Sequence, residues 1–196
     1  MSIRFHSALG QRHNRYLLMR HGHSQANARH LIISTPARGL AEYGLSEQGE
    51  AQLEALLADW RWPAPTHILH SDFLRTTQTA RRVAAHFGLE MQAEPRLRER
   101  DFGELEGAAD SRYRDVWVHD ARSPEHHEYG VESVASVAAR MQGVIASLEQ
   151  ALRGETVLLV SHGDPLQIML TALEGSLLTE HRDREALLPA GIAVLD

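Results

Sequence analysis

The sequence predicts an α/β fold, a three-layer α/β/α sandwich around a mostly parallel, mixed sheet. Two apolar runs, within residues 16–22 and 157–163, both end at a His-Gly pair and have the length and aliphatic content of strands buried in a parallel sheet. Helical and strand patterns also alternate along the chain, which favours a layered α/β architecture. Because parallel sheets bind ligands beyond the carboxyl ends of their strands, we expect the two imidazoles to meet at one crevice.

Length and composition indicate one domain. The chain has 196 residues, of which 43% are hydrophobic, enough to bury a core. We expect residues 15–196 to form this domain and residues 1–14, which carry few apolar side chains, to be a loose N-terminal extension rather than a signal peptide. Cysteine is absent, and no apolar window is long enough for a membrane span. These features predict a soluble, cytoplasmic protein without a membrane partner.

The charge balance disfavours nucleic acid as a partner. The chain has 26 acidic and 20 basic residues, a formal net charge of -6. A general nucleic-acid binder presents a basic surface instead. Any site for an anion must therefore be locally positive.

The first half of the chain predicts alternating strands and helices. Ser46 precedes a run of leucines at helical spacing and is the expected N-cap of a helix, which Pro63 and Pro65 separate from the next strand. Gly88 is the expected end of a second helix. The predicted elements are a strand at 16–19, a helix at 45–60, a strand at 67–71, a helix at 73–87 and a short strand at 89–93.

The second half predicts a long irregular segment and then regular elements. Residues 94–130 contain several glycines and are expected to form a loop that faces the substrate. The Asp164-Pro165 pair is the expected N-cap and first residue of the helix that follows it, so capping accounts for a carboxylate beside an anion site. After residue 130 the predicted elements are a helix at 134–152, a strand ending at His162, a helix at 166–178 and a strand at 191–195.

The residues around the two His-Gly pairs suit phosphate chemistry. Hydrolysis of a phosphate monoester needs cations for the phosphoryl oxygens, a nucleophile and an acid for the leaving oxygen. His21 follows Arg20, and its neutral ring could attack phosphorus to give a phosphohistidine. Since Gly22 and Gly163 have no side chains, an oxyanion can approach the backbone there. Arg75 lies in the first turn of a predicted helix, where backbone amides favour an anion.

Four motifs in this order resemble the histidine phosphatase superfamily, the phosphoglycerate mutase-like proteins. They are Arg20-His21-Gly22 with Ser24 and Asn27, residues 71–80 around Arg75, Leu97-Arg98-Glu99-Arg100, and Ser161-His162-Gly163. The resemblance runs from about Tyr16 onwards. It implies that His21 is the phosphorylated nucleophile and Glu99 the general acid. It also implies that the substrate is bound by Arg20, Asn27, Arg75, Arg100, His162 and Gly163.

The resemblance further implies a small phosphorylated substrate and catalysis without a cofactor or metal. Mutases of the family use a long insertion with extra arginines to retain a carboxylate substrate. The corresponding segment here, 108–130, is short, which favours hydrolysis over a mutase reaction. Arg112, Arg114 and Arg122 within it could still reach a substrate carboxylate, and Arg100 matches the mutase-like pattern.

Histidines also raise a metal-dependent alternative. His21 and His23 form a His-x-His pair that can bind zinc, but no third ligand follows at a supporting spacing. His119, His126 and His127 are expected to face solvent or substrate rather than a metal. The alternatives of other classes are a metal-dependent hydrolase and a non-catalytic protein that binds a phosphorylated ligand.

Overall fold

The computed structural model describes residues 12–196, which form one five-stranded sheet between two layers of helices. The strands are β1 (Arg15–Arg20), β2 (His67–His70), β3 (Met91–Ala93), β4 (Thr156–Ser161) and β5 (Ile192–Leu195). The helices are α1 (Gln25–Ala28), α2 (Pro36–Gly39), α3 (Glu47–Ala58), α4 (Leu74–Phe87), α5 (Tyr113–Asp120), α6 (Val134–Ala151) and α7 (Gly163–Leu173). The predicted three-layer α/β class is confirmed.

The sheet brings the two His-Gly pairs together. Its strand order is β3-β2-β4-β1-β5, with β5 antiparallel to β1 and the other neighbours parallel. In the β1–β4 register Arg20 lies opposite Ser161, so the residues after them leave adjacent strand ends side by side. This edge is the crevice that the sequence predicts.

Each face of the sheet is covered by its own helices because successive strand residues point to opposite sides. On one face, Tyr16 and Leu18 pack in a cluster with α6 and α7. On the other, Leu17 and Met19 pack in a cluster with α3 and α4. A third, smaller cluster lies under the irregular segment and contains Ile32, Phe102, Leu105, Val116 and Val131.

The predicted ends of α3 and α4 match the structure closely. The Ser46 side chain accepts a hydrogen bond from the Gly49 amide, which begins α3 as a capping serine should. Gly88 ends α4 in the left-handed conformation, at φ 66°, where a side chain would be strained. These local signals were sufficient because they do not depend on the rest of the fold.

Two expectations about helices are wrong. Residues 113–120 form α5, a helix inside the segment predicted to be irregular. α7 begins at Gly163, with His162 as its N-cap, and ends at Leu173, since Gly175 takes a left-handed conformation at φ 73°. Asp164 is therefore inside the first turn and is not the cap.

The N-terminal extension is only partly described, because residues 1–11 lie outside the described residues. Its last two residues are bound to α6. The His13 amide donates to Glu149 at 2.7 Å, and the Asn14 side chain donates to Glu149 and to the Leu152 carbonyl, both at 3.0 Å. The chain is therefore anchored before β1 begins. Within residues 12–196 no helix is both long and apolar enough to cross a membrane.

Candidate active site

The two predicted imidazoles lie together at the carboxyl ends of β1 and β4. His21 and His162 pack edge to face, with ring centroids 5.3 Å apart, and both rings are buried. Phe73, just before α4, packs edge-on against His162 on another side. The strand ends and the start of α4 therefore build one wall around the His21 ring.

The hydrogen bonds of His21 fix its tautomer. Its Nδ1 lies 2.7 Å from the Gly22 carbonyl oxygen, which can only accept, so Nδ1 carries the proton. Arg75 Nε lies 3.2 Å from Nε2 and can only donate, so Nε2 presents a lone pair. Burial, together with the charges of Arg75 and Arg20, holds the pKa of His21 well below its ordinary value. The ring is a neutral base with its lone pair directed to the site.

His162 is held differently. Its Nε2 is hydrogen-bonded to the Ser71 hydroxyl at 2.8 Å, while its buried Nδ1 has no hydrogen-bond partner among residues 12–196. That Nδ1 lies 3.8 Å from Glu99 Oε2. Burial and the charge of Arg75 lower the pKa of His162 well below its usual range. Ser71 is a residue that sequence reasoning did not single out for this role.

Two arginines supply positive charge. Arg75 is buried and donates from Nη2 to the Ile33 carbonyl at 2.9 Å, which leaves its buried Nη1 without a partner in the described chain. Arg20 donates from Nη1 to the Leu187 carbonyl at 2.8 Å, and its buried Nε is likewise unpartnered within residues 12–196. Since a buried, unpaired donor is unfavourable, both guanidinium groups are prepared for an acceptor.

Local contacts explain why Gly163 and Asn27 suit a substrate-binding site. A Cβ atom at Gly163 would lie 3.2 Å from Arg20 Cζ, so the absence of a side chain lets the guanidinium rest on the start of α7. Asn27 Oδ1 accepts from the Ser24 amide at 3.0 Å and from the Ser24 hydroxyl at 2.9 Å. That arrangement keeps the Asn27 amide group available as a donor at the cavity wall.

Glu99 lies beside these groups, with 9% of its side chain exposed. Its Oε2 is 3.7 Å from Arg75 Nη2, and its Oε1 accepts from the Arg100 amide at 3.0 Å. Burial raises the pKa of Glu99 to about 7, an effect that the Asp164 charge reinforces and the Arg75 charge opposes. A carboxyl with this pKa can give and take a proton near neutral pH.

Two adjoining cavities meet at Glu99. The first has a volume of about 300 Å³ and is bordered by Arg20, His21, Asn27 and Arg75. The second, of about 150 Å³, is bordered by Gly163, Asp164, Gln167 and Arg182. Both are lined by Arg20, Glu99, Tyr113 and Trp117. The site therefore offers a cationic compartment next to His21 and a smaller compartment on the far side of Glu99.

A stack of side chains forms one wall of the cavities. Tyr113 and Trp117 of α5 are parallel, with centroids 5.5 Å apart, and the Arg182 guanidinium lies 3.7 Å from the Trp117 ring centroid. Trp117 Nε1 is buried and has no hydrogen-bond partner within residues 12–196. Sequence reasoning missed all three residues. The apolar spacing of Tyr113, Val116 and Trp117 was the available signal for α5.

Arg100 corrects one expectation, because its guanidinium does not face the cavities. It is fully buried and pairs with both carboxylate oxygens of Asp120 at 2.8 Å. It also donates to the Glu132 carbonyl at 2.7 Å and lies 3.4 Å from Asp164. These contacts use the side chain inside the protein, so its expected contact with substrate is not supported.

Asp164 corrects a second expectation, that it is the N-cap of the helix that follows it. Its carboxylate caps no helix but lies 3.4 Å from Arg100, 3.2 Å from Arg182 and 3.6 Å from His181. The negative charge next to the anion site is therefore balanced by the buried Arg100 and by Arg182. This network joins residues far apart in the sequence, which explains why local helix-capping rules gave the wrong role.

The remaining predicted side chains lie outside the two cavities. His23 Nδ1 is hydrogen-bonded to the Ser46 hydroxyl at 2.7 Å, and His126 Nε2 lies 2.6 Å from Asp120 rather than facing solvent. Arg112 pairs with Asp115, while Arg114 and Arg122 are exposed. Across residues 12–196 no group of three or more His, Asp or Glu side chains is arranged to hold a metal ion.

Comparison with known proteins agrees with this arrangement. Residues 16–196 match the model of the histidine phosphatase superfamily (branch 1). A "Probable phosphoglycerate mutase GpmB" from Enterobacter sp. (strain 638) is 33% identical over 168 residues, which cover 81% of this chain and 74% of the relative.

Two solved structures share the fold. A mycobacterial glucosyl-3-phosphoglycerate phosphatase in complex with inorganic phosphate has a TM-score of 0.77 and 23% identity, covering 95% of this chain and 90% of that one. A "putative alpha-ribazole-5'-P phosphatase" from Escherichia coli K-12 has a TM-score of 0.74 and 25% identity, covering 93% and 90% of the two chains. With the match over residues 16–196, these similarities show that the chain belongs to branch 1 of the histidine phosphatase superfamily.

Proposed function

We propose that the protein hydrolyses phosphate monoesters of small metabolites through a phosphohistidine at His21. The observation that carries this proposal is a set of three buried nitrogen atoms without partners in the described chain: Arg20 Nε, Arg75 Nη1 and His162 Nδ1, the last of which is a donor when the Ser71 hydroxyl donates to Nε2. They belong to the residues that surround the His21 ring. A phosphoryl group has oxygen acceptors for all of them, and its negative charge would offset both guanidinium groups.

In the first half-reaction the Nε2 lone pair of His21 attacks phosphorus. The bond between phosphorus and the leaving oxygen breaks, and the protonated carboxyl of Glu99 gives its proton to that oxygen. Arg75, which donates to Nε2 in the free protein, would turn its donors to the phosphoryl oxygens. The bond from Nδ1 to the Gly22 carbonyl keeps the ring oriented and stabilises the positive charge that develops on it.

In the second half-reaction the Glu99 carboxylate takes a proton from water. The water oxygen attacks phosphorus, the bond to His21 Nε2 breaks, and inorganic phosphate leaves. A pKa of about 7 suits a carboxyl that must act first as an acid and then as a base.

The cavities support a small leaving group. The phosphoryl compartment is next to His21, and Glu99 separates it from the 150 Å³ compartment. A leaving oxygen protonated by Glu99 would direct the rest of the substrate into this smaller space. The loop arginines Arg112, Arg114 and Arg122 border neither cavity. They therefore do not supply the contact with a substrate carboxylate that the mutase hypothesis required of this loop. The Escherichia coli relative, named a phosphatase, also supports hydrolysis.

A mutase reaction is the second candidate, favoured by one observation. Arg182 borders the smaller cavity, where it places a cation beside a bound alcohol that would receive the phosphoryl group. The relatives named phosphoglycerate mutase point the same way. The two reactions share the first half and differ in whether water or this alcohol attacks the phosphohistidine.

An assay with p-nitrophenyl phosphate tests the proposal. We expect hydrolysis that persists in the presence of EDTA and a phosphoenzyme that is labile in acid and stable in base. Loss of activity with EDTA would instead support a metal-dependent hydrolase, and phosphate binding without turnover would support a binding protein. Incubation with phosphoglycerates, with and without a bisphosphoglycerate primer, separates the two candidates: a phosphatase releases phosphate, whereas a mutase interconverts the isomers.

A further inference from the structure

A single arginine of α6 holds the segment that carries Glu99. Arg140 Nη1 donates to the carbonyls of Arg96 and Arg98 at 2.7 and 2.9 Å, and its Nη2 donates to the Glu99 carbonyl at 3.1 Å. Glu99 itself lies in residues 98–102, between a short 3-10 helix, Pro95–Leu97, and another at Gly103–Leu105. The Arg140 side chain therefore satisfies carbonyls for which neither helix nor strand supplies a donor.

The Arg140 guanidinium is itself fixed in place. Its Nε and Nη2 pair with the two carboxylate oxygens of Glu132 at 2.8 and 3.0 Å. Only 18% of the Arg140 side chain is exposed. Because a guanidinium is planar and its donors point in fixed directions, this paired arrangement sets the orientation of all three carbonyl contacts.

Arg100, the residue after Glu99, also holds Glu99 in place. The Arg100 amide donates to Glu99 Oε1, while the Arg100 guanidinium is paired with Asp120 and donates to the Glu132 carbonyl. Glu132 is therefore the common support of Arg140, through its side chain, and of Arg100, through its backbone. Arg140 therefore holds the Glu99 backbone and the Arg100 amide holds the Glu99 carboxyl, and both arginines are bound to Glu132, just before α6.

From these contacts we infer that Arg140 is a positioning residue that holds the Glu99 carboxyl at the leaving oxygen. The inference rests on the proposed role of Glu99 as general acid. Arg140 borders neither cavity, so it acts through the backbone of residues 96–99 and not through substrate. A general acid must be within hydrogen-bond reach of the oxygen it protonates, and small displacements of such a group are costly.

The test compares esters that differ in their need for an acid. Alkyl phosphates have a poor leaving group and depend on protonation, whereas p-nitrophenyl phosphate does not. We expect Arg140→Met to lower kcat/KM for an alkyl phosphate by about tenfold to a hundredfold, with a much smaller effect on kcat/KM for p-nitrophenyl phosphate. This parameter includes only the steps up to release of the leaving group, so the later use of Glu99 as a base, which both esters share, does not enter it. Arg140→Lys keeps the charge but not the fork of donors, so its loss should be similar.

A double variant shows whether Arg140 acts through Glu99. In a Glu99→Gln background, Arg140→Met should lower the alkyl rate by less than about twofold, because the proton donor is already absent. Arg96→Met is the matched control. Arg96 lies on the same segment and also reaches α6, at the Gly143 carbonyl and the Ser147 hydroxyl, but it makes no contact with Glu99. Its ratio of alkyl to aryl rates should equal that of the unmodified protein.

Melting temperatures distinguish positioning from a structural role. Equal slowing of both esters by Arg140→Met with a lowered Tm, or further loss in the Glu99→Gln background, would overturn the inference. Arg140→Lys serves if the methionine variant does not fold, and failure of both to fold would also count against it. If Glu99→Gln alone lowers kcat/KM for both esters equally, Glu99 is not the acid; that result refutes the proposed acid role of Glu99 directly, whatever Arg140→Met does.

Discussion

The two strand ends share an apolar run and a His-Gly pair but have different environments. At β1, His21 Nδ1 donates a hydrogen bond to the Gly22 carbonyl, and Nε2 presents a lone pair beside Arg75. At β4, the His162 Nε2 is occupied by Ser71, and Nδ1 is the nitrogen left for a ligand. The comparison teaches that the role of an imidazole is set by which ring nitrogen its neighbours hold, since each motif alone would allow either role.

Replacing His21 should give the largest effect. His21→Ala removes the Nε2 lone pair that faces the phosphoryl compartment, so kcat should fall by about 10⁴-fold or more. Reactions with a ³²P-labelled substrate that are quenched with detergent at alkaline pH, where a phosphohistidine is stable, should then contain no phosphoenzyme. Persistent labelling of His21→Ala would show that the other histidine, or another group, is the nucleophile.

Replacing His162 should slow the reaction without moving the phosphorylated position. His162→Ala removes one buried donor, so kcat/KM should fall by about 10²–10³-fold, the scale seen for a single preorganised donor. Peptide mapping should still find the label on His21. A label that disappears together with the activity, as in His21→Ala, would contradict the division of roles.

The pH dependence should separate Glu99 from both histidines. Burial and the nearby arginines hold the pKa of His21 well below its ordinary value, so the nucleophile stays neutral as the pH rises through 7. Glu99, with a pKa of about 7, loses its proton over that range. For an alkyl phosphate, kcat should therefore decline as pH rises through about 7 or somewhat higher, because a bound phosphoryl group favours the protonated carboxyl.

The Glu99→Gln variant supplies the control for this profile. It should be slower on alkyl phosphates by about a hundredfold, a typical contribution of a general acid, and it should lack the alkaline decline. The kcat/KM for p-nitrophenyl phosphate, which does not include the later step that uses Glu99 as a base, should change much less. An alkaline decline that survives in Glu99→Gln would assign that ionisation to another group.

The smallest effect is expected at Ser71, which holds the His162 ring. Ser71→Ala leaves both histidines present but frees His162 Nε2, so kcat/KM should fall by about tenfold or less. The inhibition constant for inorganic phosphate should rise in parallel, since His162 would hold phosphoryl oxygens less well. Unchanged phosphate inhibition would show that Ser71 does not orient the ring.

Much of the fold follows from local patterns. The strands, the capping serine of α3 and the closing glycine of α4 depend on residues next to one another, and the predicted bounds of these elements are close to those observed. The juxtaposition of His21 and His162 follows from one rule about parallel sheets. Sequence patterns were sufficient for elements whose ends are fixed by contacts between residues close in the chain.

The failures occur where distant segments meet. Asp164 has a capping sequence around it, but Arg100, His181 and Arg182 come to it from other parts of the chain. Arg100 follows Glu99 and seemed placed for substrate, yet Asp120 turns its side chain inward. The cation beside the smaller cavity is Arg182, not an arginine of residues 108–130. No pattern within a short window reports such long-range contacts.

The antiparallel strand β5 has a consequence for when the protein becomes active. The Arg20 guanidinium is aimed by the Leu187 carbonyl, and the Ala190 amide is bound to the His21 carbonyl. During synthesis, residues 12–163 can emerge from the ribosome and begin to pair before these contacts exist. The contacts that aim Arg20 and hold the His21 backbone therefore form only once residues 187–195 are present, so we expect a chain truncated before them to lose the proposed activity.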